Sequence, residues 1–166
     1  KQPLCPYPYK NLCGAAVAYK LMVCLYRVMG LPEEETEELI EFAAFATVGD
    51  VMDLTGENRI LVREGLYRLN HTENIGMQAL IQANGLEYGK ISAYHIGFVL
   101  GPCINASGRL DTAKQALALL LCESGKEAAG LAAELKELND ERKSLTAKGV
   151  EQAVALIEGS EMKNDR

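Results

Sequence analysis

The sequence predicts an all-α fold, and three observations carry that expectation. Stretches of helical pattern follow one another from about residue 12 to residue 158, most of them opened by a capping residue or a proline. No run reads as a strand, and no internal repeat is present. From Ser124 to Glu158 the chain holds no proline, so a single long helix is expected there. With 166 residues, 48% of them hydrophobic, the chain can build one domain with a core and is too apolar to be disordered.

Residues 1–10, KQPLCPYPYK, hold three of the five prolines and should be irregular. Asn11 is placed to cap a first helix running from about Leu12 to Met29. Its only charges, Lys20 and Arg27, are seven residues apart and share a face, so the helix is expected to be nearly buried. Gly30 closes it, and Pro32 opens a second helix, EEETEELIEFAAFATV, whose acidic first turn suits the positive end of the helix dipole. This helix becomes wholly apolar toward Val48 and hands the chain to GDVMDLTGEN.

A third helix is expected over about 57–69 and a fourth over about 75–83, ended by Asn84-Gly85. Ser92 caps a short fifth helix that runs into FVLGPCINASGRL, residues 98–110, which reads as a small polar turn breaking the helical chain. Asp111 caps a sixth, TAKQALALLLC. Ser124 and Glu127 form a capping box for the last helix, which at ~1.5 Å per residue extends on the order of 50 Å. Leu131, Leu135, Leu138 and Leu145 give it a heptad-like stripe, while NDERKS in its middle is polar on every side. That pattern suits a helix bridging two bodies, or the arm of a coiled-coil dimer; a monomer is the preferred reading.

The net charge of −6 excludes a generally basic nucleic-acid coat but leaves room for a local basic groove. Five cysteines without a C-x-x-C pair, and only two histidines, His71 and His95, argue against a disulfide framework or a structural zinc site. A reducing, cytoplasmic setting fits this usage. The most apolar stretch, Leu12 to Val28, carries Lys20 and Arg27, so no membrane span is expected. The chain opens on Lys1 and closes on EGSEMKNDR, and both ends are expected to be internal points of a longer polypeptide.

Few catalytic arrangements fit. There is no G-x-S-x-G elbow, no G-x-x-x-x-G-K-[ST] loop and no zinc-spaced histidine pair. Cys13 before Gly14 could be an activated thiol at a helix start, but among Ala and Val it reads as a small packing residue. Asp50 and Asp53 follow the apolar end of the second helix. Either one caps the next helix, or one binds a cation whose other ligands come from elsewhere, since hard divalent ions want several oxygens. Gly101 and Gly108, with Asn105 and Arg109, could receive an anion such as phosphate, or form an ordinary surface turn.

Four blocks taken together go further. CPYPYKNLCGAAVAYKL, FATVGDVMDLTGENRILVREGL, IGFVLGPCINASGRL and ELNDERKSLTAKGVEQAVALIE, in this order, resemble the RecJ family of DHH phosphoesterases. That resemblance implies a 5′ to 3′ exonuclease acting on single-stranded DNA in repair and recombination, dependent on Mn2+ or Mg2+. It also implies that residues 1–122 are the helical C-terminal half of an α/β DHH domain. Residues 123–166 would be the long connecting helix toward a DHH-associated domain absent from this chain.

By the same resemblance Asp50 matches the family's late aspartate metal ligand. Asp53 stands where many relatives have Pro and takes no role. Asn105 and Arg109 match the family's PRxNAxGR-type motif, which lies by the active site and the DNA path. Cys103 stands where the family usually has Arg, so one basic group is missing there or supplied elsewhere. The D-x-D and D-H-H motifs that supply most of the metal ligands are not in this chain, which implies that it is inactive alone. Two rivals are another DHH phosphoesterase, acting on short oligonucleotides or cyclic dinucleotides, and a non-catalytic helical dimerisation scaffold.

Overall fold

A computed structural model describes residues 4–110 and 113–159, the side chains of residues 107, 109 and 110 excepted. Helices α1 (Gly14–Met29), α2 (Ile40–Gly49), α3 (Gly56–Leu69), α4 (Ile75–Ala83), α5 (Ala93–His95), α6 (Gly101–Leu110), α7 (Lys114–Leu120) and α8 (Gly125–Glu158) account for most of it. No strand occurs among the described residues, as the sequence predicts. No helix among them is long and apolar enough to cross a membrane. Asp111, expected to cap the sixth helix, lies outside the described residues.

Two hydrophobic clusters hold the helices. The larger gathers Leu69, Met77, Leu80, Ile96, Leu119 and Leu135, with Leu100 and Cys103, from α3, α4, α6, α7, α8 and the segment before α6. The smaller joins the start of α1 to α2 and α3 through Leu12, Ala16, Ile40, Ala43 and Leu61. Glycine sets two of the closest approaches. A Cβ on Gly65 in α3 would lie 2.6 Å from the Ile40 carbonyl oxygen, and one on Gly76 in α4 would lie 1.9 Å from that of Leu119. The α4–α7 contact is pinned further by Asn74 Nδ2, which donates to the Leu120 carbonyl at 2.9 Å.

Several buried polar groups are partnered at these contacts, although Asn58 Oδ1 is buried without a hydrogen-bond partner among the described residues. Thr72 donates to Glu41 Oε1 at 2.8 Å across the α2–α3 side of the body. Burial pushes the Glu41 carboxyl above its ordinary range, partly offset by that hydrogen bond. Asn58 Nδ2 donates to the carbonyls of Asn11 and Asp53, tying the irregular entry of the chain to α3.

Several expectations need correction. The cap of α1 is Cys13, not Asn11: its Sγ accepts from the Ala16 N–H at 3.4 Å, and it is buried, as a packing residue would be. The acidic opening of the second helix, Glu33–Leu39, is a 3₁₀ helix, and α-helical geometry begins only at Ile40. Helix α1 is not nearly buried: Ala16 alone is fully so. Val17, Leu21, Leu25 and Val28, at helical spacing, form an exposed apolar stripe, with Leu21 67% and Val28 85% exposed. The reason is that α1 packs on one side only. Its two cations are held by the body, Lys20 by Glu57 and Arg27 by Glu33.

The middle of α8 also differs from expectation. Ala128, Ala132, Leu135 and Asn139 form a buried row along its first half, so the core reaches into NDERKS. Only from residue 143 to residue 159 is every position exposed, and there the helix stands clear of the body.

Candidate nucleic-acid interface

The first predicted site residue, Asp50, is the C-cap of α2. Its backbone N–H donates to the Ala46 carbonyl at 2.8 Å, and then the chain turns. Val51 N–H donates to Val48 at 3.0 Å and Met52 N–H to Thr47 at 3.1 Å, the pair of bonds of a Schellman motif. The residue at its left-handed position is Val51, with φ 53°, where glycine is the usual occupant. A β-branched side chain there is strained and gains nothing in return from packing, because Val51 is 89% exposed.

Asp50 is itself exposed, and no hydrogen bond or ion pair holds its carboxylate among the described residues. The apolar end of α2 therefore does not bury its C-cap carboxylate. The capping alternative fails as well. Thr55 is the N-cap of α3, and Asp53 contributes only its carbonyl, to Asn58 Nδ2 at 3.0 Å. A carboxylate at the negative end of a helix, with no basic residue in the last turn, runs against the helix dipole. Two adjacent residues, Asp50 and Val51, therefore both work against local stability. Val51→Gly is expected to raise stability by about 1 kcal/mol, seen as a higher Tm in thermal melts, because the αL penalty exceeds the entropy glycine adds to the unfolded chain. An unchanged or lower Tm would mean that the turn is not strained.

The motif expected to be a polar turn is not a turn. Residues 93–110 form one continuous rod: α5, a π-helical segment Ile96–Leu100, then α6. Ser92 N–H donates to His95 Nδ1 at 3.1 Å at its start. Pro102 cannot donate a backbone hydrogen bond, and its ring would crowd a carbonyl one turn back in a regular helix. The wider π turn absorbs this, with the Gly101 N–H reaching Ile96 O. Gly101 is required by that closure, since a Cβ would sit 2.7 Å from Ile96 O. Gly108, the other glycine of the motif, has nothing within 4 Å of a Cβ position, so no close approach explains it.

On α6, Asn105 is exposed while Cys103 and Ala106 are fully buried against the core. Arg109 belongs to the same helix, four positions on, which puts both positions on one face. The Arg109 side chain lies outside the described residues. Cys103 Sγ donates to Asn84 Oδ1 at 3.4 Å, and burial holds its thiol above the ordinary range, so this position brings no charge to the surface.

Two residues that the sequence reading did not single out stand beside Asn105. Asn139 is buried, and its Nδ2 donates to Cys103 Sγ at 3.6 Å. Arg142 donates to Asn139 Oδ1 from Nε at 3.2 Å and Nη2 at 3.0 Å, and lines a recess with Pro102, Asn105 and Ala106. A signal was present: 128, 132, 135, 139 and 142 continue one helical face straight through the polar NDERKS.

The structure does not gather the predicted residues into one pocket. The end of α2 meets the rod near Gly97, where a Cβ would lie 3.7 Å from Val48 Cγ1. Asn105 is eight residues further on, about 12 Å at helical rise. No group of three or more His, Cys, Asp or Glu able to hold a metal occurs among the described residues. Asp50 fits a metal as one available carboxylate ligand and no more.

No protein-family model matches the chain. Curated relatives do. The single-stranded-DNA-specific exonuclease RecJ of Bacillus subtilis is 39% identical over 158 residues, covering 95% of this chain and 19% of that protein. RecJ of Escherichia coli is 37% identical over 171 residues, covering 97% of this chain and 30% of its own length. Among solved structures, RecJ of Thermus thermophilus in complex with Mn2+ superposes with a TM-score of 0.81 at 36% identity, covering 90% of this chain and 22% of that one. The same protein in complex with Mg2+ gives 0.80. The chain thus spans 19% and 30% of the length of these two curated relatives.

Proposed function

Because the chain belongs to the RecJ family, we propose that it is the helical portion of a divalent-metal-dependent exonuclease that hydrolyses single-stranded DNA from the 5′ end, in DNA repair and recombination. The single observation that carries the site assignment is Asp50: an exposed carboxylate, unpartnered among the described residues, at the negative end of α2 and beside the strained Val51. A bound cation turns that unfavourable placement into a favourable one, since it reverses the sign of the local charge. The ion would supply charge stabilisation at the scissile phosphate. Its remaining ligands would come from outside this chain, as one carboxylate does not make a site. Asn105 and Arg109, on one face of α6, are assigned to the phosphate backbone of the strand, which such contacts position without reading sequence.

Residues 1–122 are proposed to be half of the catalytic domain. The exposed stripe of α1 supports this, since an apolar face of that extent is normally covered by a neighbouring body. Residues 123–166 are proposed to carry α8 across to a second domain. Its outer half, with Val150 and Val154 exposed four residues apart on one face, offers an apolar edge for that domain to seat on. The surroundings would be cytoplasmic.

Manganese-dependent digestion of end-labelled single-stranded DNA, run with the longer polypeptide and with this chain alone, tests the reading. The longer polypeptide should degrade the strand and the 166-residue chain should leave it intact. Robust digestion by the pure chain would show that its own residues hold a complete site. A longer polypeptide that left single strands intact but cut cyclic dinucleotides would favour the other branch of the superfamily.

A further inference from the structure

We propose that Arg142, delivered by α8, adds a cationic contact to the α6 surface, and that with Asn105 it forms a subsite for one phosphodiester of a single strand in the recess between α6 and α8. The proposal rests on the assignment of Asn105 to the DNA path. The recess has a volume of about 120 Å³ and is lined by Pro102, Asn105, Ala106 and Arg142. At ~30 Å³ per liquid water that is room for about four waters, or for one tetrahedral oxyanion with part of its shell.

The guanidinium is held in place from behind. Two of its five N–H donors are engaged on Asn139 Oδ1, which leaves the others for a ligand. Asn139 is 1% exposed, and burying an amide between helices is unfavourable unless its polar atoms are partnered. Here the partners run in one line from α4 to α8: Asn84 Oδ1 accepts from Cys103 Sγ, which accepts from Asn139 Nδ2, whose Oδ1 accepts from Arg142. The line ends on a planar cation at an open recess. A guanidinium fixed in this way loses less freedom when it binds an anion than a loose lysine would.

Glu141, the acid next to Arg142 in sequence, lies about 100° around the helix from it. Asp140 is neutralised by Lys136 at 2.8 Å and Lys143 at 3.2 Å. Cys103, at the centre of the line, brings no charge of its own, so among the described residues Arg142 is the cation that lines this recess.

The test is binding of fluorescent oligothymidylate to the longer polypeptide in EDTA, by anisotropy, over a series of salt concentrations. Arg142→Gln should weaken binding about tenfold, the order of one charge-assisted hydrogen bond. It should also flatten the dependence of log K on log salt by about 0.7, the value for neutralising one phosphate fewer on a single strand. Arg142→Lys should restore the slope but only part of the affinity, because lysine cannot match the fork held by Asn139. Lys148→Gln, on the exposed outer half of α8, should change neither. If Asn105→Ala weakens binding and Arg142→Gln leaves affinity and slope intact, Arg142 only braces Asn139 and this inference is overturned alone. If neither variant changes binding, the assignment of the α6 surface to DNA falls with it. A lower melting temperature with an unchanged slope also overturns the proposal.

Discussion

Asp50→Ala in the longer polypeptide is expected to cut manganese-dependent digestion of single-stranded DNA by about two orders of magnitude or more. A metal ion stabilises transition-state charge by several kcal/mol, and each ~1.4 kcal/mol is a factor of ten. Stability should not fall with activity. The substitution removes a carboxylate, unpartnered among the described residues, from the negative end of α2, which is worth ~0.3–1 kcal/mol in favour of the variant. Affinity for single strands in EDTA should also persist. This combination, inactive yet at least as stable and still binding, separates a ligand from a structural cap. A variant that digests DNA at the wild-type rate would reduce Asp50 to the end of a helix.

The second large effect concerns the fold. Gly76→Ala is expected to destabilise the chain by about 2–3 kcal/mol, although Gly→Ala inside a helix ordinarily stabilises by up to ~1 kcal/mol. The new Cβ would lie 1.9 Å from the Leu119 carbonyl oxygen and 2.6 Å from its carbon, so α7 must move off α4. Backbone cannot give way as the end of a long side chain can. Gly130→Ala is the internal control, since nothing lies within 4 Å of a Cβ there and α8 runs through that position unbroken. Opposite signs for the same substitution, read in Tm, would show that the α4–α7 approach is set by a missing Cβ. Equal signs would mean that α7 is loosely held.

The departures of the structure from the sequence expectations have a common cause. The PCINASGR stretch has the composition of a turn, and local propensity alone cannot say that Leu100 and Cys103 will be buried on one side of it. Burial on α4 and α8 holds the backbone helical, and the π segment absorbs the proline. Asn139 reads as solvated because its neighbours Asp140, Glu141 and Lys143 are charged, yet it lies on the face continued from Ala128, Ala132 and Leu135. In α1 the departure runs the other way. Apolar composition predicts that a face will be covered, but it does not say by what.

Sequence by itself determined the helical class, the ends of α3, α4 and α8 to within a residue or so, and membership of a family through four ordered blocks. These depend on caps, glycines, prolines and periodicity, which act within a few residues along the chain. Tertiary structure alone decided which faces pair, that α5 and α6 form one rod, that Asp50 is exposed beside a strained valine, and that Arg142 comes to stand beside Asn105 from 37 positions away. Contacts between distant segments follow from how volumes and buried polar groups are satisfied together, and no window of sequence contains that information.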